Sequence, residues 1–242
     1  MLIPADLFFK FKSRMRFPVD GLDVFFPYDF VYREQYQYMV ELKRALDAKG
    51  DALLEMPTGT GKTVSLLALI LSYQTAHPER SRLVYCTRTV PEMAKTVEEV
   101  KRVVAYRAEQ LVREAGGDEV ACAEARVRSL GPKSDILAVC LSSRRNMCVH
   151  APAATAGDRE GVDGACRSLT ASWVRAEAEA GKPGVKTCPF FEGLSKEGAD
   201  FDLRGVYDLD DLKEVAKAKG WCPYFLVRQV LCNANVVVFS YQ

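Results

Sequence analysis

Apolar runs alternate with amphipathic stretches along the first half of this chain, a pattern that predicts strands followed by helices. The run 53–56 predicts a strand, and the apolar stretch 64–71 predicts the helix behind it. A second short run, 82–86, predicts another strand. Thr89 and Glu92 form a capping box for a helix that extends to about Arg113, with valines at helical spacing. Strand, helix, strand, helix predicts an α/β fold with a parallel sheet.

The pattern changes twice further along the chain. Gly116–Asp118 ends the second helix, and the Ala- and Glu-rich stretch up to Pro132 predicts a surface insertion with some helical character. From 146 to 223 strand signals are absent and Gly and Pro recur, which predicts an inserted module whose one clear helix is Leu209–Lys219, ended by Gly220. The continuous apolar run 235–240 predicts a buried parallel strand that resumes the sheet.

The link between the first strand and helix has the composition of a phosphate-binding loop. Pro57, Thr58, Gly59, Thr60 and Gly61 precede Lys62 and Thr63, with Met56 where the general motif has its first glycine. Glycines allow backbone N–H groups to surround a phosphate, and the helix N-terminus adds partial positive charge. Lys62 would contact the β- and γ-phosphates of ATP and Thr63 would coordinate Mg²⁺. A packing turn without ligand is the alternative.

Composition limits the class of protein. Of 242 residues 48% are hydrophobic, enough for one large domain or one with an insertion. The charges nearly cancel, with 33 Lys and Arg against 32 Asp and Glu, so any basic groove must be local. No apolar run is long enough to cross a bilayer, and we expect no membrane association. Residues 1–14 are interpreted as an N-terminal extension; their basic residues leave a mitochondrial transit peptide as the alternative.

Eight cysteines in a chain assigned to a reducing compartment favour metal binding or catalysis over disulfides. Cys86, Cys140 and Cys232 have strand-like neighbours and are predicted to be buried apolar residues, and no role is assigned to Cys122. The other four lie in the inserted module, which has too little regular structure for its own core. They are Cys148, Cys166, Cys188 and Cys222, separated by 17, 21 and 33 residues.

Four thiolates that converge on a metal centre would stabilise such a module. Zinc sites usually pair their cysteines two to four residues apart, whereas isolated cysteines from four segments suit an iron–sulfur cluster. The spacing favours iron, and zinc or four unrelated thiols remain as alternatives.

Five segments together resemble the XPD family of helicases. They are 56–63, 85–92, 141–148, 162–172 and 220–225. The resemblance covers about residues 15–242. It implies a RecA-like first motor domain over 15–145, a 4Fe-4S domain inserted at 146–223 and held by the four cysteines, and a return to the motor domain at 224–242.

The resemblance further implies an ATP-dependent 5′–3′ DNA helicase of nucleotide excision repair. Such an enzyme would use ATP and Mg²⁺, act on single-stranded or forked DNA within transcription factor IIH, and be located in the nucleus. The chain ends at Gln242, before the family's Asp-Glu-Ala-His box, so we expect this part alone to be inactive. The alternatives are a truncated, non-catalytic nucleotide- or DNA-binding module and a zinc-stabilised P-loop protein unrelated to DNA.

Several further residues match family sites, each with a plainer alternative. Gln35 matches the glutamine that recognises adenine; otherwise it is an ordinary surface residue. The DNA-binding residues implied are Thr87, Arg88, Thr89, Arg144, Arg145, Tyr224 and Arg228. Helix capping by the threonines, a solvated arginine pair and core packing of Tyr224 are the respective alternatives.

Overall fold

The structure is a computed structural model that describes residues 15–78, 82–132, 134–197 and 201–241. The proposed N-terminal extension, 1–14, lies outside this range. The first elements are β1 (Met15–Val19), β2 (Leu22–Phe26), α1 (Arg33–Ala48), α2 (Lys62–Ala76), β3 (Leu83–Thr87), α3 (Val90–Glu114) and α4 (Glu119–Leu130). They are followed by β4 (Leu137–Leu141), α5 (Arg144–Met147), α6 (Ala151–Ala154), α7 (Arg159–Thr170), α8 (Ser172–Glu179), α9 (Pro189–Lys196), β5 (Gly205–Val206), α10 (Leu209–Lys219), α11 (Pro223–Val230), a 3₁₀ turn (Leu231–Asn233) and β6 (Val236–Ser240).

The chain divides into two compact units. Among the described residues, the first unit comprises those between 15 and 83 together with those between 98 and 136. The second comprises 84–97 together with the described residues from 137 to 241. Helix α3 therefore begins in the second unit and continues in the first.

The first unit opens with an antiparallel hairpin, β1–β2, that the hydrophobic pattern did not identify. Its two-residue turn is Asp20-Gly21, and both residues have positive φ, 44° and 80°. An Asp-Gly pair suits such a turn because its twist matches that of the paired strands. Phe26 and Val24 of β2 are buried, and β2 packs on α2, which also contacts α1. Helix α2 is apolar on most of its faces and fully buries Leu67, which makes it the centre of this unit.

The second unit contains a four-stranded sheet with the order β3-β6-β4-β5. β4 is parallel to both β6 and β5, with Val139 opposite Val237. Both β4 and β6 read as continuous apolar runs because the sheet buries them, as expected for parallel strands. The predicted α/β class with a parallel sheet and the predicted strand at 235–240 are thus confirmed.

The predicted strand at 53–56 is wrong. No residue from 51 to 57 is assigned to a strand, and Leu53 is 92% exposed. A strand depends on a neighbour that accepts its backbone hydrogen bonds. Within the described residues no strand pairs with this segment, so its apolar composition alone does not produce one.

The statement that Leu209–Lys219 is the one clear helix of 146–223 is wrong as well. That helix forms with the predicted bounds and ends at Gly220 with φ 72°, but helices α6, α7, α8 and α9 precede it. They are short, four to twelve residues, and two of them begin with Pro in the first turn. In this module Gly and Pro begin and separate short helices. The sequence analysis had interpreted the same residues as a sign of irregular structure.

Two predictions about cysteine burial are also wrong. Cys140 is buried in β4 as predicted, whereas Cys86 and Cys232 are exposed. Side chains alternate along a strand, and Cys86 shares the exposed face of β3 with Val84. Cys232 lies in the 3₁₀ turn that precedes β6. Among the described helices, none has the length and apolar character that crossing a membrane requires.

Candidate functional site

The predicted phosphate loop lies in the first unit and leads directly into α2. Gly59 and Gly61 have φ of 84° and 79°, the left-handed conformation that glycine adopts without strain. The Thr60 hydroxyl donates to the Pro57 carbonyl oxygen at 2.6 Å, and Lys62 Nζ donates to the Met56 carbonyl oxygen. The loop is therefore a closed turn, with Lys62 folded over it and Thr63 in the first turn of α2.

Gln35 lies against this loop. It is only 4% exposed, and its side-chain oxygen accepts a hydrogen bond from the Tyr32 backbone N–H at 2.8 Å. A Cβ atom placed on Gly61 would lie 2.4 Å from Gln35 Nε2. The close approach of helix α1 to the loop thus depends on the absence of a side chain at 61. The surface-residue alternative for Gln35 is wrong.

Two aromatic residues beside Gln35 escaped the sequence analysis. Phe30 and Tyr32 are 50% and 48% exposed, and their ring centroids are 5.1 Å apart in an edge-to-face pair. The signal that could have identified them is the run of aromatic residues from 25 to 32 directly before Gln35. Exposed aromatic faces of this kind can stack on a base.

The segment 87–89 lies in the second unit at the end of β3. The buried Thr87 hydroxyl lies 3.1 Å from the Thr89 carbonyl oxygen and 3.2 Å from that of Phe239, while the Thr89 hydroxyl accepts from the Glu92 N–H at 3.3 Å. Arg88 is 74% exposed and pairs with Glu92 at 3.1 Å. Both threonine hydroxyls therefore hold the turn, as in the capping alternative, and Arg88 presents its charge to solvent.

The four cysteines of the second unit occupy defined positions at helices. Cys148 follows α5 and Cys166 lies within α7. Cys188 and Cys222 are the N-caps of α9 and α11, with nearly identical backbone angles, φ −79° and −84° with ψ 114° in both. Each is followed by Pro and two aromatic residues, a short sequence repeat that the sequence analysis missed.

At these two N-caps, backbone N–H groups lower the pKa of the thiol, against the larger effect of burial. The N–H groups of Phe190 and Phe191 act on Cys188, and those of Tyr224 and Phe225 act on Cys222, in each case favouring the thiolate. Helix N-termini also favour negative charge. Both features suit thiolate ligands.

Burial nevertheless keeps these thiols protonated in the absence of a metal. Burial raises the pKa of Cys148, Cys188 and Cys222, that of Cys222 to about 11. The charge of Cys166 contributes to the raised pKa of all three, and that of Cys188 to the pKa values of Cys148 and Cys222. Cys166 therefore acts electrostatically on each of the other three thiols.

In the described part of the chain no group of three or more His, Cys, Asp or Glu side chains is placed so that it could hold a metal ion. The iron–sulfur cluster therefore stays a prediction, and zinc stays its alternative.

Arginine and aromatic side chains surround the cysteines. Arg144 lies over the Tyr224 ring at 4.4 Å and pairs with Asp163 at 3.4 Å, and Arg228 lies over the same ring at 3.4 Å. The charges of Tyr224 and Cys166 raise the pKa of Arg144 against the opposing effect of burial. Among the residues that the structure describes, the buried Nε atom of Arg144 has no hydrogen-bond partner. Arg145 is exposed. The solvated-pair alternative thus fits Arg145 and is wrong for Arg144.

The loop that opens α2 and the parallel sheet define a P-loop α/β protein with a RecA-like fold. Comparison with protein families narrows this class. A family model described as DEAD_2 matches residues 85–242, more than half of the chain, and one described as type III restriction enzyme, res subunit, matches 31–126. The chain belongs to the DEAD_2 family, and the resemblance to XPD-type helicases is confirmed.

Curated relatives agree with this assignment. The chain is 50% identical over 230 residues to the general transcription and DNA repair factor IIH helicase subunit XPD of Arabidopsis thaliana. The matched region covers 94% of this chain and 28% of the relative. It is 45% identical to the subunit of the same name in Dictyostelium discoideum, over 94% of this chain and 26% of the relative. Regulator of telomere elongation helicase 1 of Homo sapiens is 25% identical over 92% of the chain and 18% of that protein. The chain therefore spans about a quarter of the XPD subunits it matches.

Proposed function

We propose that this chain is the nucleotide-binding and cluster-bearing part of an ATP-dependent DNA helicase of the XPD type. The observation that carries the proposal is the contact between Gln35 and Gly61. It joins a buried amide to a closed phosphate loop at the N-terminus of a helix, where backbone N–H groups favour an anion.

The nucleotide would bind along the loop. Backbone groups of 56–61 would surround the phosphates, Lys62 would leave the Met56 carbonyl for the β- and γ-phosphates, and Thr63 would coordinate Mg²⁺. Gln35 would contact the adenine, since its Nε2 atom lies beside the loop while its oxygen is held by Tyr32.

The four cysteines would hold a 4Fe-4S cluster. Their four-thiol donor set and the helix N-termini at Cys188 and Cys222 support an anionic sulfur centre. When bound, the cluster would supply a rigid attachment point for the helices that carry the cysteines. The domain division at 15–145, 146–223 and 224–242 follows from this assignment.

Single-stranded or forked DNA would bind through the basic residues. Arg88 and Arg145 are exposed and available for phosphates, whereas Thr87 and Thr89 would shape the loop that presents Arg88. The Tyr224 ring lies beneath the guanidinium groups of Arg144 and Arg228. We therefore assign Tyr224 the role of orienting these two arginines toward the phosphates of bound DNA.

The names of the relatives support the cellular role. Proteins named as helicase subunits of general transcription and DNA repair factor IIH match almost the whole chain. We therefore assign the full-length protein to transcription factor IIH and nucleotide excision repair in the nucleus, with movement 5′ to 3′.

ATP hydrolysis tests the proposed motor function. In a protein of the full length of these relatives, Lys62→Ala is expected to abolish DNA-stimulated hydrolysis while circular dichroism stays unchanged, because the loop loses its phosphate-binding cation. Normal turnover in this variant would refute the nucleotide site. Hydrolysis that is absent from the unaltered protein as well would favour the non-catalytic binding module.

Iron content tests the proposed cluster. Anaerobically purified chain should be brown and carry about four irons, in keeping with the four-iron formula. Cys148→Ser should lose iron and local protease resistance together, whereas Cys232→Ser, at an exposed position outside the four, should keep both. Colourless protein with one zinc would identify the zinc-stabilised alternative.

A further inference from the structure

His150 has a buried ring nitrogen without a partner. Its Nδ1 atom has no hydrogen-bond partner in the part of the chain that the structure describes, although the residue as a whole is half-buried. Buried polar atoms of this kind are uncommon and usually indicate a hydrogen-bond partner that the protein chain itself does not provide.

The neighbours of His150 indicate which partner this is. The Cys148 thiol donates to the His150 carbonyl oxygen at 3.7 Å, so this sulfur lies beside the His150 backbone. The ring centroid is 6.4 Å from that of Phe190, which follows Cys188 and Pro189. The segments that carry two of the four cysteines therefore pass close to His150, and the Phe190 ring offers only a weak acceptor.

We propose that His150 Nδ1–H donates a hydrogen bond to a sulfur atom of the cluster held by the four cysteines, and thereby raises the reduction potential of that cluster. The inference rests on the proposed function, since it requires the cluster. A donor stabilises the more negative, reduced state more than the oxidised state, and hydrogen bonds to cluster sulfurs are one of the determinants of potential.

Three substitutions separate donation from packing. His150→Phe keeps an aromatic ring and removes the donor. His150→Asn places an amide nitrogen near the position of Nδ1, and His150→Gln carries the same amide one carbon further out. The chain is purified anaerobically, its iron is counted, and its potential is measured by dye-mediated titration with dithionite.

Phe and Gln variants should have a more negative potential than the unaltered chain, and the Asn variant should restore it. Equal potentials in the loaded Phe variant and the unaltered chain would overturn the proposal. If the Phe variant binds no iron, the Asn and Gln variants decide, and equal potentials in these two would overturn it. Absence of iron from the unaltered chain would instead refute the cluster, so the two failures are distinguishable.

A spectroscopic measurement tests the same contact directly. The chain has two histidines, so labelling with histidine that carries ¹⁵N only in the imidazole ring marks the rings of His77 and His150 alone. In the dithionite-reduced state, pulsed electron paramagnetic resonance should detect a ¹⁵N coupling that His150→Phe removes. His77→Gln, which alters a ring packed on Tyr73 at 4.5 Å, should retain it. A coupling that survives in His150→Phe would contradict the assignment.

Discussion

Replacing Gly61 by alanine tests the contact on which the nucleotide site depends. Two costs follow from the structure. The residue has φ 79°, and a left-handed conformation costs a residue with a Cβ about 1–2 kcal/mol. The new Cβ would also lie 2.4 Å from Gln35 Nε2, so the Gln35 side chain must move. Its hydrogen bond with the Tyr32 N–H would then be lost, at roughly 0.5–1.5 kcal/mol.

Gly59→Ala is the matched control. Gly59 has φ 84°, but a Cβ there would meet no atom within 4 Å, so only the backbone cost applies. Both variants should lose free energy of unfolding in urea, and Gly61→Ala should lose the additional 0.5–1.5 kcal/mol or so of the broken contact.

Amide hydrogen exchange at Tyr32, measured by nuclear magnetic resonance, isolates this second cost. Protection of the Tyr32 N–H should fall about 2- to 12-fold in Gly61→Ala, the equivalent of the lost hydrogen bond at 1.4 kcal/mol per factor of ten. It should be unchanged in Gly59→Ala. In a Gln35→Ala background, Gly61→Ala should add only the backbone cost. Equal Tyr32 exchange in the two glycine variants, or additive effects of Gln35→Ala and Gly61→Ala, would refute the reasoning.

Three further predictions concern the second unit. Gly193→Ala should lower the iron content, because the new Cβ would lie 2.2 Å from the Gly220 carbonyl oxygen. In the control variant Gly164→Ala the new Cβ would meet no atom within 4 Å, so this variant should retain iron. Equal iron content in the two variants would contradict the prediction. Asp208→Ala should lower the free energy of unfolding by about 1 kcal/mol in thermal melts, because Asp208 accepts two backbone N–H bonds at 2.9 Å as the N-cap of α10; an unchanged melt would exclude the cap. In the iron-free chain, the raised pKa of Cys222 predicts that the folded state is stabilised below pH 9, where the thiol is neutral. The free energy of unfolding should fall by roughly 3 kcal/mol as the pH rises through about 11. Urea unfolding across that range should show a smaller loss in Cys222→Ala, and an identical loss would show that another group titrates.

Local signals predicted the elements whose formation depends on neighbouring residues. The helix at Leu209–Lys219 appears with the predicted bounds because its Asp208 cap and Gly220 end lie in the adjacent sequence. The phosphate loop follows from the positive φ that only its glycines adopt without strain. The strand at 53–56 failed because pairing with another strand, which composition does not encode, is what forms a strand.

The cysteine module shows the same division. The number and spacing of Cys148, Cys166, Cys188 and Cys222 predicted that they form one set, and this stays a prediction. The helices that carry them were missed because each is too short to be stable alone, and short helices depend on tertiary packing.

The sequence by itself determined the class of the protein and the residues of the phosphate loop, and it predicted which four cysteines belong together, because motifs and spacings are properties of the chain. Only the tertiary structure decided that Gln35 contacts Gly61, that Arg144 covers Tyr224 and that the His150 ring lies near that of Phe190. These contacts join residues separated along the chain, and packing, which depends on all three dimensions at once, selects them.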